Sequence, residues 1–298
     1  MHCAAKSYFG LLLLRPRTLK MRRYTLLIAL LLAGQAANAQ FLKLKKPRFS
    51  GIYFQWGYNR DWYTKSDVHF KDGDKYDFTV YDMVAKDKPD FSYYKKNPWD
   101  ITIPQNSYRI GVYLNKQHTH AIEVNYDHAK YVQVDNQTLR VKGQIHGKEV
   151  DEDMNLGNYL VHLEHTNGAN FYHLNYVGQT EIWHNKKKNR PWATAVWKAG
   201  GGVVIPKSFV ILFYEKLDNK FSVAGYIFSG EAGFRFYPFK NFFLEATAKG
   251  GYANYVNALG IGTGRISHDF WYGEVVGLIG YDINLNFLQK KDKPVITQ

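Results

Sequence analysis

From Ile279 to Phe287 the chain alternates without a break, with Ile279, Tyr281, Ile283, Leu285 and Phe287 on one side and Gly280, Asp282, Asn284 and Asn286 on the other. Successive side chains of a strand point to opposite faces, so this segment predicts a strand with one apolar and one polar face. The same pattern recurs upstream. Phe242, Leu244, Ala246 and Ala248 oppose Glu245, Thr247 and Lys249, while Ile122, Val124 and Tyr126 oppose Glu123, Asn125 and Asp127. Alternating segments bounded by turn residues fall at 49–59, 61–70, 75–85, 107–116, 119–132, 157–167, 169–183, 192–205, 208–214, 221–237, 242–256 and 269–287. This predicts an all-β chain of about twelve strands.

The connections point to a closed arrangement. Short turns are expected at 71–74, 116–118, 167–168, 206–207 and 238–241, and longer links at 86–106, 133–156, 184–191, 215–220 and 257–268. They occur in alternate order, as an antiparallel up-and-down barrel with short turns on one rim and long loops on the other requires. Asn167-Gly168 between two alternating runs predicts a type I′ hairpin. Only a tight link at Asn59-Arg60 interrupts the order. If the first hairpin belongs to a long loop, the count becomes ten. With an apolar face outward the barrel is transmembrane. After the amino-terminal forty residues, no stretch approaches the roughly 18–20 consecutive apolar residues of a spanning helix. Aromatic residues nevertheless make up 16% of the chain, which suits a barrel that shows lipid only alternate residues between aromatic girdles.

The amino terminus supplies an address. Met21, Arg22 and Arg23 precede the apolar run Leu26 to Ala33, and Ala37-Asn38-Ala39 precedes Gln40, the layout of a secretory signal peptide. Residues 1–39 are therefore expected to be a leader, possessing in residues 1–20 an extended or mis-assigned start. Residues 40–48 are a periplasmic amino-terminal segment, 49–287 the barrel, and 288–298 a basic periplasmic tail. The sole cysteine, Cys3, falls in the leader, so the mature chain has no disulfide. Removing the six basic residues of the leader takes the formal charge from +13 to +7. The cations cluster at Lys43, Lys45, Lys46 and Arg48, at Lys186, Lys187, Lys188 and Arg190, and at Lys290, Lys291 and Lys293. For a secreted barrel the expected counter-charge is lipid phosphate, not nucleic acid.

Parity assigns Arg109, Glu123, Asp127, His162, Glu164, His173, Glu231, Arg235, Glu245, Lys249 and Asp282 to the inward face. Charges of both signs predict a lumen filled by ion pairs, because an unpaired buried charge is costly. A general diffusion pore usually takes 16 or more strands.

Two clusters could carry chemistry. His162-Leu163-Glu164-His165-Thr166-Asn167 brings histidine, carboxylate and hydroxyl together, with Glu164, His165 and Thr166 as candidates for a base and nucleophile set. Asn59-Arg60-Asp61-Trp62-Tyr63-Thr64-Lys65-Ser66-Asp67 offers Asn59, Asp61 and Asp67 as oxygen ligands suited to Ca²⁺. His118 and His120 share a strand face but make only two metal ligands. The glycines at 200–202 and at 260, 262 and 264 precede no helical pattern, and no HExxH, GxSxG or paired CxxC occurs.

Three resemblances follow from these residues. The terminal Tyr281-Asp282-Ile283-Asn284-Leu285-Asn286-Phe287 resembles the β-signal read by the barrel-assembly machinery, and the whole mature chain resembles aromatic-rich outer-membrane barrels of the Bacteroidota type. The first chemical cluster is similar to the His-x-Ser-Asn stretch of lipid A 3-O-deacylase barrels, without a serine at the nucleophile's place. The second is similar to the Asn-Asp and Tyr-Thr stretch of calcium-dependent lipid A deacylases, with Arg60 interrupting the pair. These resemblances imply a cell outer-membrane location, with outer-membrane lipids including lipopolysaccharide and the assembly machinery as partners. The leading expectation is a non-catalytic barrel without a cofactor that binds or stabilises through loops 86–106, 133–156 and 257–268, using Phe91, Tyr93, Tyr94 and Trp99. The rival is a lipid A hydrolase, with Ca²⁺ as its cofactor. The pattern specifies no oligomeric state.

Overall fold

The computed structural model describes residues 49–89, 96, 105–157, 160–166 and 168–285. The expected leader 1–39, the segment 40–48, the tail 288–298, Phe287, Asn167 and the four loop aromatics Phe91, Tyr93, Tyr94 and Trp99 lie outside these residues.

Strands dominate the described chain: β1 (Gly51–Tyr63), β2 (Ser66–Asp72), β3 (Tyr76–Met83), β4 (Ala85–Lys86), β5 (Asn106–Tyr113), β6 (His120–Asp127), β7 (Tyr131–Gln133), β8 (Gln137–Ile145) and β9 (Lys148–Leu156). The second half adds β10 (Val161–His165), β11 (Phe171–Asn185), β12 (Arg190–Val204), β13 (Phe209–Leu212), β14 (Glu215–Asp218), β15 (Gly225–Phe236), β16 (Phe242–Leu259) and β17 (Arg265–Asn284). All pairings are antiparallel.

Twelve strands form one sheet, in the order β1-β5-β6-β11-β12-β15-β16-β17-β2-β3-β8-β9, and β17 also pairs with β1. That last pairing runs from Gly51↔Asn284 to Tyr63↔Tyr272. It closes the first eight strands into an up-and-down ring. The other four continue from the end of β17, where Arg265 to Ser267 pair with Lys71 to His69. The sheet has the expected number of strands but not all the expected members: segments 157–167 and 208–214 fall in β10 and β13 outside it, β8 and β9 take their place, and the ring takes eight of the twelve.

Register fixes the shape of the ring. The paired row from Phe54 passes through Ile110, Val124, Leu174, Gly201, Phe228 and Tyr252 to Trp271. Trp271 O then accepts from Thr64 N at 2.9 Å, so the row returns to β1 ten positions beyond its start. For eight strands such a stagger corresponds to a tilt of about 40°. Outward residues are apolar and exposed, among them Phe54, Ile110, Val124, Leu174, Phe228, Phe234, Val275 and Ile279. Trp62, Tyr226, Tyr252 and Trp271 flank this band at one end, and Trp183, Trp192, Phe242 and Tyr281 at the other. An apolar band between aromatic girdles is the surface a bilayer requires.

One rim carries short turns at 114–119, 186–189 and 237–241; the other carries the short turn 260–264 and three long connections. Those three contain all nine strands outside the ring. Several expectations change here. The links 71–74 and 206–207 and residue Gly168 lie at the loop rim, and 184–191 lies at the turn rim. Short strands such as β2, β3, β10 and β13 alternate like ring strands, and counting them as crossings inverts the rim assignment. β1 runs unbroken through Asn59 and Arg60. β10 and β11 do not pair with each other as a hairpin: β10 pairs with β7 and β13 while β11 pairs with β6 and β12.

The segment 133–156, expected as a loop, is mostly strand. β8 and β9 are joined by His146 and Gly147 at φ 50° and 76°, the two positive values of a type I′ hairpin turn. β4, β7, β10, β13 and β14 form a second sheet in the order β14-β13-β10-β7-β4. Val68, Phe70, Phe78, Val80 and Val141 of the first sheet share one apolar core with Leu163, Val210 and Leu212 of the second. Phe171, Ile227, Tyr255 and Phe270 carry that core into the mouth of the ring. The loop connections are therefore a packed β domain seated on the barrel.

Candidate functional site

Alternation sends every second ring residue inward, and the inward residues of the middle layers are charged. Arg109, Lys198, Arg235 and Lys249 are all buried, as are Glu123, Asp127, Glu231, Glu245 and Glu274. Arg109 Nη1 donates to Glu231 Oε1 at 2.6 Å. Lys198 Nζ donates to Glu245 Oε1 at 2.8 Å and to Glu123 Oε2 at 3.1 Å. Arg235 Nε donates to Glu245 Oε2 at 2.8 Å, and its guanidinium lies 4.0 Å from the Phe243 ring centre. Lys249 pairs with Asp127 and, at 3.1 Å, with Glu274.

Nearer the turn rim, Arg235 Nη1 donates to the Tyr113 hydroxyl at 2.8 Å, and that hydroxyl donates to Asp282 Oδ1 at 2.7 Å. The paired groups fill the bore instead of lining an open one, as the sequence predicts. In a medium of low dielectric each pair offsets a desolvation cost that either partner alone would leave uncompensated. Nine of the eleven residues expected inside are there. His162 and Glu164 are not, because β10 belongs to the second sheet. His162 Nε2 lies 2.7 Å from Glu164 Oε1, and this contact holds the Glu164 carboxyl below its usual range.

The candidate catalytic trio separates. Val161, Leu163 and His165 face the core of the loop domain, Glu164 faces the opposite side, and Thr166 lies in the following turn. The hydroxyl that reaches His165 is Ser208, with Oγ 2.8 Å from Nδ1. His165 Nε2 lies 3.2 Å from His268 Nε2. His268 Nδ1 lies 3.4 Å from Ser66 Oγ, which donates to Asp269 O at 2.8 Å. One proton assignment satisfies the chain throughout: Ser208 donates to His165, His165 to His268, His268 to Ser66. Both imidazoles are then neutral, and burial pushes the His165 pKa down to about 3.

Tyr255 stacks on His165 with ring centres 4.9 Å apart. A serine hydrogen-bonded to a histidine is the start of a nucleophile and base pair. Here His165 is 0% and Ser208 1% exposed, and the other imidazole nitrogen meets a second histidine where a carboxylate would orient a catalytic base. The arrangement is a sealed structural chain. Ser66, Ser208 and His268 carry no motif that the sequence could reveal.

The metal candidates also divide. Asn59 and Asp61 face the lumen near the loop rim, where Gln105 Nε2 donates to Asp61 Oδ2 at 2.9 Å. Asp67 is exposed on β2 and its Oδ1 accepts from Asp82 N at 2.9 Å. Among the described residues no three His, Cys, Asp or Glu side chains gather as a metal-binding group. His118 stacks on Tyr113 with ring centres 4.0 Å apart, and His120 Nδ1 lies 2.6 Å from the Tyr176 hydroxyl. At the turn rim a cleft of about 760 Å³ is lined by His118, Lys188, Arg190, Lys240 and Asp282, among others. Arg190 is held there by donating to the carbonyls of Tyr237, Pro238 and Phe239.

No family model and no curated protein matches the chain. Solved structures similar in strand arrangement include Neisserial surface protein A, at 10% identity and TM-score 0.36, covering 77% of this chain and 96% of that one. Ail, the attachment invasion locus protein of Yersinia pestis, in complex with the heparin analogue sucrose octasulfate, matches at 11% identity and TM-score 0.35, covering 79% and 100%. The outer membrane protein OprG from Pseudomonas aeruginosa matches at 10% identity and TM-score 0.35, covering 80% and 98%. At these values no role passes to this chain, and the closed ring is argued from its own register.

Proposed function

We propose that this chain is an outer-membrane β-barrel whose working part is the domain at the loop rim, with a binding or envelope-stabilising role and no catalysis. The observation that carries this reading is the division of the chain between a ring whose bore is filled by ion pairs and nine further strands packed outside it. A protein for passage needs an open bore, and an enzyme needs an accessible acid, base and nucleophile together. The loop rim faces outward, and the turn rim, where β1 begins and β17 ends, faces the periplasm, as in bacterial barrels with short turns inside. The setting is a Gram-negative envelope, of the Bacteroidota type by the resemblance of leader, strand pattern and terminal segment together.

The lipid contacts of this reading are the apolar band and its girdles. The basic cluster 186–190 sits at the turn rim, so it faces periplasmic or inner-leaflet anions instead of outer-leaflet phosphate. Mass spectrometry of lipid A from cells with and without the protein tests the absence of catalysis. The expected result is identical acylation. Loss of an acyl chain only when the protein is present would replace this reading with the hydrolase.

A further inference from the structure

The lumen does not balance. Six fully enclosed carboxylates, Asp61, Glu123, Asp127, Glu231, Glu245 and Glu274, face four cations, Arg109, Lys198, Arg235 and Lys249. Asp282 lies apart at the turn rim, with Tyr113 as its donor. The pairing above assigns Glu123, Glu231 and Glu245 to Arg109, Lys198 and Arg235, and leaves Lys249 as the main counter-charge of Asp127, Glu274 and Asp61, with Arg109 Nη2 a further 3.9 Å from Asp127 Oδ1. The surplus of two negative charges therefore sits at the loop end of the bore.

Register sharpens this. Asp61 and Glu274 are directly opposed on β1 and β17, and Lys249 is opposed to Glu274 from β16. Like charges directly opposite destabilise a strand pair, and burial strengthens their repulsion. Asp61 Oδ1, both Glu274 carboxyl oxygens, Gln105 Oε1 and the neighbouring Asp87 Oδ1 have no hydrogen-bond partner, although Glu274 Oε2 lies 3.1 Å from Lys249 Nζ as an ion pair. Asp61 and Glu274 are each 2% exposed, and so is Gln105. Gln105 is tied to the spot because its Nε2 is spent on Asp61 Oδ2 at 2.9 Å and on Asn59 Oδ1 at 3.4 Å. Buried oxygens without partners are rare, and each calls for a physical reason.

We propose that the loop end of the lumen binds one Ca²⁺ ion between Asp61, Glu274 and the Gln105 amide oxygen. All three groups are hard oxygen donors, and two carboxylates with an amide carbonyl and water match the mixed, flexible coordination of Ca²⁺ better than the strict octahedron of Mg²⁺. A divalent ion also cancels the surplus of two charges. Asp87 is not part of the set, since its charge is already paired with Arg60, whose Nε donates to Asp87 Oδ2 at 2.7 Å. Asp67, on the exposed side of β2, is not part of it either. The ion would clamp β1 to β17 at the seam of the ring.

The test uses the full mature chain folded into lipopolysaccharide-free nanodiscs, stripped with EGTA and then given CaCl₂. Two quantities are read: bound calcium per chain by elemental mass spectrometry, and the temperature at which the ring loses its compact form. One equivalent of calcium and a rise of roughly 5 °C are expected. Asp61→Asn and Gln105→Leu should lose both effects, while Asp67→Asn keeps them. If Asp61→Asn fails to fold, Gln105→Leu and the stripped wild type still decide. A wild-type protein that holds no calcium and shows no shift overturns the proposal, and a shared proton between the two carboxylates would take its place. Binding that survives both Asp61→Asn and Gln105→Leu also overturns it, because the ion then sits elsewhere.

Discussion

At the residue scale the buried histidine chain has the most direct consequence. His165 is neutral in the folded domain, with its pKa pushed down to about 3 by burial, whereas in an unfolded chain it titrates near 6.5. Above about pH 6.5 neither state binds the proton and the residue makes no difference to stability. Between about 6.5 and 3 the unfolded state binds the proton and the folded state does not, so stability falls as pH falls, by about 1.4 kcal/mol per pH unit for one such group. Protease resistance of the loop domain should therefore drop between pH 7 and pH 5. His165→Gln, which can still hydrogen-bond but does not titrate, should shallow that drop, and an unchanged profile would remove His165 from the account. Little of this was legible beforehand. His165 stands out in the sequence, but its partners Ser208 and His268 are 43 and 103 residues away, and only tertiary pairing brings them together.

Elements of the ring were far more legible than those outside it. β5, β6, β11, β15 and β16 show an apolar face to lipid and a largely polar face to the bore, and this contrast writes a clean period of two, while in β12 and β17 several inward positions are apolar and the alternation of exposed and buried positions carries the period. β8 and β9 have no such contrast, because both faces of that hairpin meet water along most of its length. Its polar alternation looks like a loop. The hairpin is anchored instead by backbone geometry: Gly143 has φ 138°, and a Cβ there would lie 2.2 Å from Asp77 O and 2.6 Å from Phe78 Cα. Gly143→Val should thus break the β3–β8 pairing and free residues 137–156 to exchange amide hydrogens quickly. Ring amides should be unaffected, since no ring strand pairs with β8 or β9. Slow exchange of the hairpin in that variant would contradict the assigned register.

For the whole molecule, strand parity identified the class and nine of the eleven inward residues, while the number of ring strands and the place of His162 and Glu164 escaped it. Parity reports which face a side chain occupies and is blind to whether a strand crosses the bilayer or stands above it. Crossing is decided by length and by the partner at each edge: the eight ring strands range from 8 to 20 residues, and none of the other nine exceeds 9. With Arg109 and Lys198 each shared among several carboxylates, the bore should pass no current. Planar bilayer recording of the purified protein is expected to show none, and a steady single-channel conductance would mean that these pairs open.

The seam between β1 and β17 also sets an order of events. The first ring strand meets the last, so the ring cannot close until β17 has been delivered, and this contact joins residues as far apart in the chain as Gly51 and Asn284. Contacts of that kind form slowly, because the loop must be drawn together before any pairing compensates for its lost freedom. Asp61 and Glu274 stay in water until that moment and lose it together. β2 then has its partner edge on β17 at the top of the same seam, so the outer domain can settle only on a finished ring. Closure is in this sense a checkpoint: a chain interrupted before β17 has neither a closed ring nor the β17 edge on which β2 pairs.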